Sequence, residues 1–193
     1  MDSVEGIFQK SGTMLKGHFL LASGLHSPIY WEKFRILQYP HYTEQVCRMI
    51  VAHFQKQKIQ VVVGPTTGGI VLAFEAARQL EVCGIFAEKE GTAKRAFRRG
   101  FSISSGERVL IVDDILTTGN SIRQVLDAVA RQGGVVIGIG VLVDRSENKI
   151  EFGAPLFSCY RAVSPTYRPQ DCPLCVAQIP LVEPGSQHLT REV

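Results

Sequence analysis

The chain of 193 residues has no apolar run approaching the roughly 18 residues that a membrane-crossing helix requires. Its first ten residues carry Asp2 and Glu5 and no apolar stretch, so no secretory signal is expected there. Charge of one sign is scarce as well. Lys and Arg number 21 against 18 Asp and Glu, and a net charge of +3 is too small to imply a nucleic-acid partner. Cysteine is limited to five residues, an odd number, and Cys47, Cys83 and Cys159 lie in apolar surroundings. That usage fits reduced thiols in a cytoplasm better than a disulfide scaffold. Two nucleotide-binding signatures are missing: no Gly-x4-Gly-Lys-Ser/Thr string occurs, and no Gly-x-Gly-x-x-Gly follows a predicted strand. A P-loop ATPase and a dinucleotide-dependent dehydrogenase each lack their main piece. Repeats and low-complexity linkers are absent too, so one domain over 1–193 is expected, with a core of about 42–150 and smaller segments at 1–41 and 151–193.

What is present is a globular composition, 45% hydrophobic and 20% charged. Helices are predicted over 3–10 and 42–57, the second from Val46, Met49, Ile50 and Phe54 at spacings of three and four. From there strands alternate with helices. Strands are expected at 60–64, 82–88, 108–114 and 135–145, and helices at 69–80 and 121–134, the latter with a glycine stop. The strands are continuous Val/Ile runs instead of apolar–polar alternations, which means that both of their faces are covered. The fold class is therefore α/β, a mostly parallel sheet flanked by helices. Residues 156–163 read as a further strand, 165–175 as a proline-rich loop, and 178–186 as an edge strand before a polar tail expected to be mobile.

In such sheets ligands sit beyond the carboxyl ends of the strands. The loops "GPTTGG", "DDILTTGNS" and "VDRSE" all fall there, as does "EKEGTAKRAFRRG". In "RVLIVDDILTTGNS" a greasy strand runs into Asp113 and Asp114, then into Thr117, Thr118, Gly119, Asn120 and Ser121 at the start of a helix. A helix N-terminus with a close-approach glycine and hydroxyl donors suits a phosphate monoester. Two carboxylates would repel that phosphate but can accept hydrogen bonds from the vicinal hydroxyls of a ribose. Thr66, Thr67, Gly68 and Gly69 form a second strand–glycine loop–helix unit at the same sheet edge. The cations Lys89, Lys94, Arg95, Arg98 and Arg99 make a poor core and a plausible lid over an anionic leaving group.

The segment "VLIVDDILTTGNS" resembles the ribose-5-phosphate signature of the type I phosphoribosyltransferases: four hydrophobics, two acids, two variable residues, then Thr-Thr-Gly-x-Ser. The resemblance implies that family's fold, with a small hood built from the N- and C-terminal segments. It also implies transfer of ribose 5-phosphate from phosphoribosyl pyrophosphate (PRPP) to a nitrogen base, with Mg2+ carried mainly by PRPP. On it, Asp113 and Asp114 bind the ribose hydroxyls and Thr117 to Ser121 hold the 5-phosphate. Thr66 to Gly69, Lys89 and Lys94 meet the pyrophosphate, and Lys89, Asp113 and Asp114 are the catalytic set. Within the family, "GPTTGGI" and "GHFLLASGLHSPIYWEKF" resemble the orotate phosphoribosyltransferases, which implies orotate as the base and a role in pyrimidine synthesis. Tyr30 and Trp31 then fall near the base, together with Thr117, and Arg145 of "VLVDRSE" meets the orotate carboxylate. That branch typically reads Arg-Lys-x-x-Lys-x-His in its lid. Here Glu88, Lys89, Thr92 and Lys94 occupy the corresponding places, and Ala22 stands where a lysine is common. The resemblance further implies a two-fold dimer with a lid shared between subunits. A purine phosphoribosyltransferase and a non-catalytic nucleotide-sensing regulator of the same fold remain alternatives. The "CPLC" pair, Cys172 and Cys175, has the spacing of a zinc half-site, but only His188 and Cys159 are near in sequence. No bound metal is expected.

Overall fold

The computed structural model describes residues 4–21, 23–92, 94–162 and 164–184. Ala22, His188 and the tail expected to be mobile lie outside the described residues. The order is α1 (Val4–Ser11), β1 (Met14–Leu20), β2 (His26–Trp31), α2 (Phe34–Leu37), α3 (Pro40–Phe54), β3 (Val61–Pro65), α4 (Gly68–Leu80) and β4 (Cys83–Glu90). Then follow β5 (Lys94–Ala96), β6 (Arg108–Leu116), α5 (Asn120–Arg131), β7 (Val135–Asp144), β8 (Leu156–Arg161), α6 (Pro173–Val176) and β9 (Leu181–Val182).

Six strands form the main sheet in the order β5-β4-β3-β6-β7-β8, parallel except for the β4–β5 hairpin. Burial on both faces is visible residue by residue. Val62, Leu110, Val112 and Leu142 point to a core shared with Val46 and Ile50 of α3 and Leu72 and Ala76 of α4. Their neighbours Val61, Val63, Val109, Ile111, Ile139 and Val141 point to the other face, where Ile122, Val125 and Val129 of α5 cover them. Because successive strand side chains alternate faces, a two-sided sheet must be apolar at every position, and that is why these strands read as unbroken runs.

The helices follow their pattern with shifted ends. The predicted 42–57 helix begins at Pro40, whose fixed φ and missing N–H suit the first helical position, and closes at Phe54 into a 3-10 turn over Gln55–Gln57. β6 continues two residues past Asp114 to Leu116, because Ile115 and Leu116 still pair with Val143 and Asp144 of β7. The sequence pattern did not distinguish a second, three-stranded sheet ordered β2-β1-β9. In it β1 pairs antiparallel with β2 and parallel with β9, through His18 opposite Leu181 and Phe19 opposite Val182. This small sheet is the hood, and it ties the two ends of the chain together beside the carboxyl edge of the main sheet.

Candidate active site

β6 delivers Asp113 and Asp114 to the carboxyl edge with only 5% and 4% of their surfaces exposed. Each carboxylate is anchored locally: Asp113 Oδ1 accepts the Asp114 N–H at 2.8 Å, and Asp114 Oδ1 accepts the Ile115 N–H at 2.7 Å. Burial, and then the neighbouring Asp114 charge, push the Asp113 carboxyl up to about 7. Asp114 has a counter-charge, since Lys33 Nζ, arriving just after β2, lies 2.8 Å from its Oδ2.

Beyond the acids, Thr117 to Ser121 wrap a cradle of ≈ 180 Å³ that reaches back to Asp113. Gly119 caps α5 with φ 79°, a left-handed conformation that side chains resist, and a Cβ there would sit 2.9 Å from the Phe152 ring. The first-turn N–H groups of α5 have no intrahelical partners and open toward this loop. On the opposite side, the Thr66–Gly69 loop leads into α4. Gly68 packs so closely on Asp114 that any side chain at 68 would run into the Asp114 carboxylate. The two loops are therefore in contact across the acid pair.

Arg95 joins them. It is 4% exposed, and its guanidinium donates to Thr66 Oγ1 (3.0 Å), the Ala87 carbonyl (3.0 Å) and Ser121 Oγ (3.1 Å). Burial lowers its pKa, an effect that the Asp113 charge opposes. The β4–β5 register sets Lys89 opposite Arg95 and Lys94 opposite Glu90. Directly opposed residues of an antiparallel pair share a face, so Lys89 lies on the side of Arg95 and Lys94 on the other. The cations that follow β5 have partners of their own: Arg98 reaches Glu90 at 3.4 Å and Arg99 reaches Glu88 at 2.6 Å.

Next to the cradle lies a cleft of ≈ 750 Å³ lined by Leu25 and Tyr30 of the hood, Thr117, Thr118, Arg145 and Ser146. Thr117 belongs to both hollows. Asp144 does not pair with Arg145. It accepts the Ser146 N–H and hydroxyl at 2.9 and 2.6 Å and lies 3.7 Å from Arg161. Arg145 is left with a buried Nε that has no hydrogen-bond partner among the described residues. Burial lowers its pKa, with the nearby Tyr30 acting the other way. A half-buried guanidinium whose Nε lacks a partner among the described residues, at the wall of a cleft, suits an anion, above all a planar carboxylate.

The family model of the phosphoribosyl transferase domain matches residues 35–161 of this chain. An orotate phosphoribosyltransferase of Caldanaerobacter subterraneus subsp. tengcongensis is 48% identical over 188 residues, covering 97% of this chain and 98% of that protein. The chain belongs to the orotate phosphoribosyltransferase family. The orotate phosphoribosyltransferase of Pelotomaculum thermopropionicum shares the same identity and coverage. Among solved structures, the orotate phosphoribosyltransferase of Aeropyrum pernix superposes with a TM-score of 0.69 at 26% identity, over 83% of this chain and 93% of that one.

In this phosphoribosyltransferase most of the predicted site residues converge on one edge, but two do not. Trp31 is buried at the end of β2, with its ring 5.2 Å from Phe8 and 5.6 Å from Tyr160, and it is not among the residues that line the Tyr30–Arg145 cleft. Alternation along β2 explains this: if Tyr30 faces the cleft, Trp31 must face the core. Lys94 is on the outer face of its hairpin, and Arg95 reaches the loops in its place. Sequence reasoning also missed Lys33, which nothing marks as special until the hood brings it to Asp114. The Cys172–Cys175 pair was judged against residues near in sequence. The fold instead brings it to His18 and His26 of the hood.

Proposed function

We propose that this chain transfers the ribose 5-phosphate group of PRPP to orotate, giving orotidine 5-monophosphate and pyrophosphate. The observation that carries this reading is the shared wall of the two hollows: Thr117 borders both the acid-lined cradle and the cleft that holds Arg145, whose Nε has no partner among the described residues. A sugar in the cradle would thus present its anomeric carbon to a base in the cleft. Asp113 and Asp114 accept the ribose hydroxyls, Thr117 to Ser121 and the start of α5 take the 5-phosphate, and Thr66 to Gly69 with Lys89 and Arg95 meet the pyrophosphate. Arg145 takes the orotate carboxylate while Tyr30 flanks the ring.

In the reaction a ring nitrogen of orotate bonds to the anomeric carbon as the bond from that carbon to pyrophosphate breaks, and the leaving group keeps the electron pair. The proton on the ring nitrogen leaves to solvent or to a pyrophosphate oxygen as the new bond forms, and the ring carbonyls spread the negative charge that its loss creates. Positive charge develops on the sugar and negative charge on the leaving group. The carboxylates of Asp113 and Asp114 favour the first, and preorganised cations and donors favour the second better than water does. Among the described residues no cluster of three metal-ligating side chains lines the cleft, the one such cluster being in the hood. The site therefore suits Mg2+ brought in on substrate oxygens, with Asp113 and Asp114 close by. When bound, that ion neutralises charge on the pyrophosphate.

Four further features complete the proposal. The whole chain acts as one unit, supported by the β1–β9 pairing of its ends. It works as a homodimer whose lid is shared, supported by Phe74, 70% exposed on α4, one turn from the exposed Val71. Neither nucleic acid nor a membrane is a partner; no helix among the described residues is long and apolar enough to cross one. A cytoplasmic location agrees with five unpaired cysteines. The test of the function is a panel of orotate, uracil, adenine, guanine and hypoxanthine with PRPP and Mg2+, following pyrophosphate release. Orotate alone should support turnover. Turnover on a purine would favour the purine alternative, and none on any base would favour a regulator.

A further inference from the structure

From the geometry of the hood we infer that His18, His26, Cys172 and Cys175 hold one structural zinc ion, joining the N-terminal hairpin to the C-terminal segment. One donor atom from each of the four residues lies within 4.8 Å of all the others. His18 is 2% exposed, His26 5% and Cys172 0%; only Cys175 reaches the surface. The donors come from three parts of the chain: β1, the first residue of β2, and the turn opening α6. Two histidines and two cysteines are a familiar closed zinc set, and Cys-x-x-Cys is the spacing at which one turn can offer both sulfurs.

The distances suit a single tetrahedral ion. Zinc bonds of about 2.0–2.1 Å to nitrogen and about 2.3 Å to sulfur put the ligand atoms roughly 3.3–3.8 Å apart. Here Cys175 Sγ lies 3.3 Å from His26 Nδ1 and 3.8 Å from His18 Nε2, and Cys172 Sγ lies 3.6 Å from His18 Nε2. The two ring nitrogens are 2.8 Å apart, so an ion between them needs only a small spreading of the pair. Donors packed this closely match one ion better than an iron–sulfur cluster, which would hold its ligands farther apart.

Hydrogen bonding adds an independent argument. His18 Nδ1 is 2.8 Å from the Ile179 carbonyl, which can only accept, so Nδ1 carries the proton and Nε2 of the neutral ring is a bare lone pair. Three groups, the His26 Nδ1 and the two thiols, converge on that lone pair. As hydrogen-bond donors they would compete for one acceptor in a buried site. As ligands they share a cation, and all four donor atoms are satisfied together. A histidine held at its far nitrogen by a backbone carbonyl is also the usual outer support of a zinc ligand, fixing both tautomer and ring orientation.

Such an ion would brace the hairpin that carries Leu25 and Tyr30 to the cleft, at the point where β9 adds only two residues to the hood sheet. The inference rests on the hood alone and stands whatever the base proves to be. The test is elemental analysis of the full chain, purified without added metal or chelator, beside Cys175→Ser and, as a control, Cys83→Ser, whose thiol is exposed on β4. About one zinc per chain is expected in the parent and control, and a loss of roughly tenfold or more in Cys175→Ser. If Cys175→Ser does not fold, the parent stripped with a chelator and reloaded with Co2+ decides. A closed site of two sulfurs and two nitrogens gives strong tetrahedral visible bands with a thiolate-to-cobalt transition. A chain that arrives without zinc and binds no Co2+ overturns the inference, as does metal retained in full by Cys175→Ser. A mass lower by two hydrogens, reversed by reductant, would make the cysteines a disulfide pair and overturn it too.

Discussion

Asp113→Asn should make the protein more stable and less active at once. With its carboxyl pushed from 3.8 to about 7 by burial and by the Asp114 charge, the folded chain holds a proton there that the unfolded chain releases. By linkage, a raised acid favours the folded state fully below pH 3.8, and that contribution falls away as pH climbs through about 7. Above neutrality the wild type therefore carries a buried charge that an asparagine does not, while Asn keeps the oxygen that accepts the Asp114 N–H. At about 1.4 kcal/mol per pH unit, a rise of that size caps the effect at about 4 kcal/mol, and coupling to Asp114 makes about 1–3 kcal/mol a fair expectation. The assay is urea unfolding of both proteins at pH 5, 6, 7 and 8 without substrate. The variant's advantage should be partial at pH 5, grow steadily to about pH 7 and level off by pH 8. An advantage that stays flat across this range, or that shrinks with rising pH, would refute the reasoning. Turnover by the same variant should drop at least about tenfold, because a ribose hydroxyl loses a charged acceptor.

Arg145→Ala should raise the KM for orotate about tenfold or more, at a cost of about 1.5–3 kcal/mol, and leave the KM for PRPP nearly unchanged; equal weakening of both would make the arginine structural. Arg95→Ala should do the reverse, raising the KM for PRPP, and Arg95→Lys should not restore it, since an ammonium cannot span Thr66, the Ala87 carbonyl and Ser121 together; full rescue by lysine would leave only its charge as important. Phe74→Glu should yield folded monomers by sedimentation velocity, and a dimer that survives would move the interface away from α4.

Much of the main sheet was legible because its physics is local. Val61 to Val63, Val109 to Val112, and Ile139 with Val141 and Leu142 are apolar on both faces of their strands, and only a strand covered on both sides asks for that. Asp113, Asp114 and Thr117 to Ser121 were legible for the same reason, since they are contiguous and the strand–turn–helix around them fixes where they go. The hood was not. β1 and β2 mix glycine, histidine and serine with their apolar residues, and β9 is two residues long, so no period stands out. Lys33 escaped, and Arg95 was legible only as one of five lid cations, because their positions depend on what the fold brings near them: Asp114 in one case, Thr66 and Ser121 in the other. The His18–Cys172 association spans 154 residues of chain, a distance that spacing arguments confined to the tail do not cross.

The contact between Lys33 and Asp114 is a mechanical linkage between the hood and the sheet. One partner stands at the end of the hood hairpin and the other at the end of a central strand, so the ion pair pins the hood to the sheet. Asp114 Oδ1 is already engaged by the Ile115 N–H, so a sugar hydroxyl reaching Asp114 would turn to Oδ2, the oxygen that holds Lys33, and would weaken the pin. By reciprocity, whatever loosens the pin favours the sugar by the same factor, and a bound sugar gives the hood equal freedom to shift. The cleft for the base is walled by that hood, through Leu25 and Tyr30. If the ribose hydroxyls do engage Asp114, sugar binding would unlatch the wall behind which the base enters, and an ordered sequence with PRPP first and orotate second is the expected outcome, which product-inhibition patterns would check.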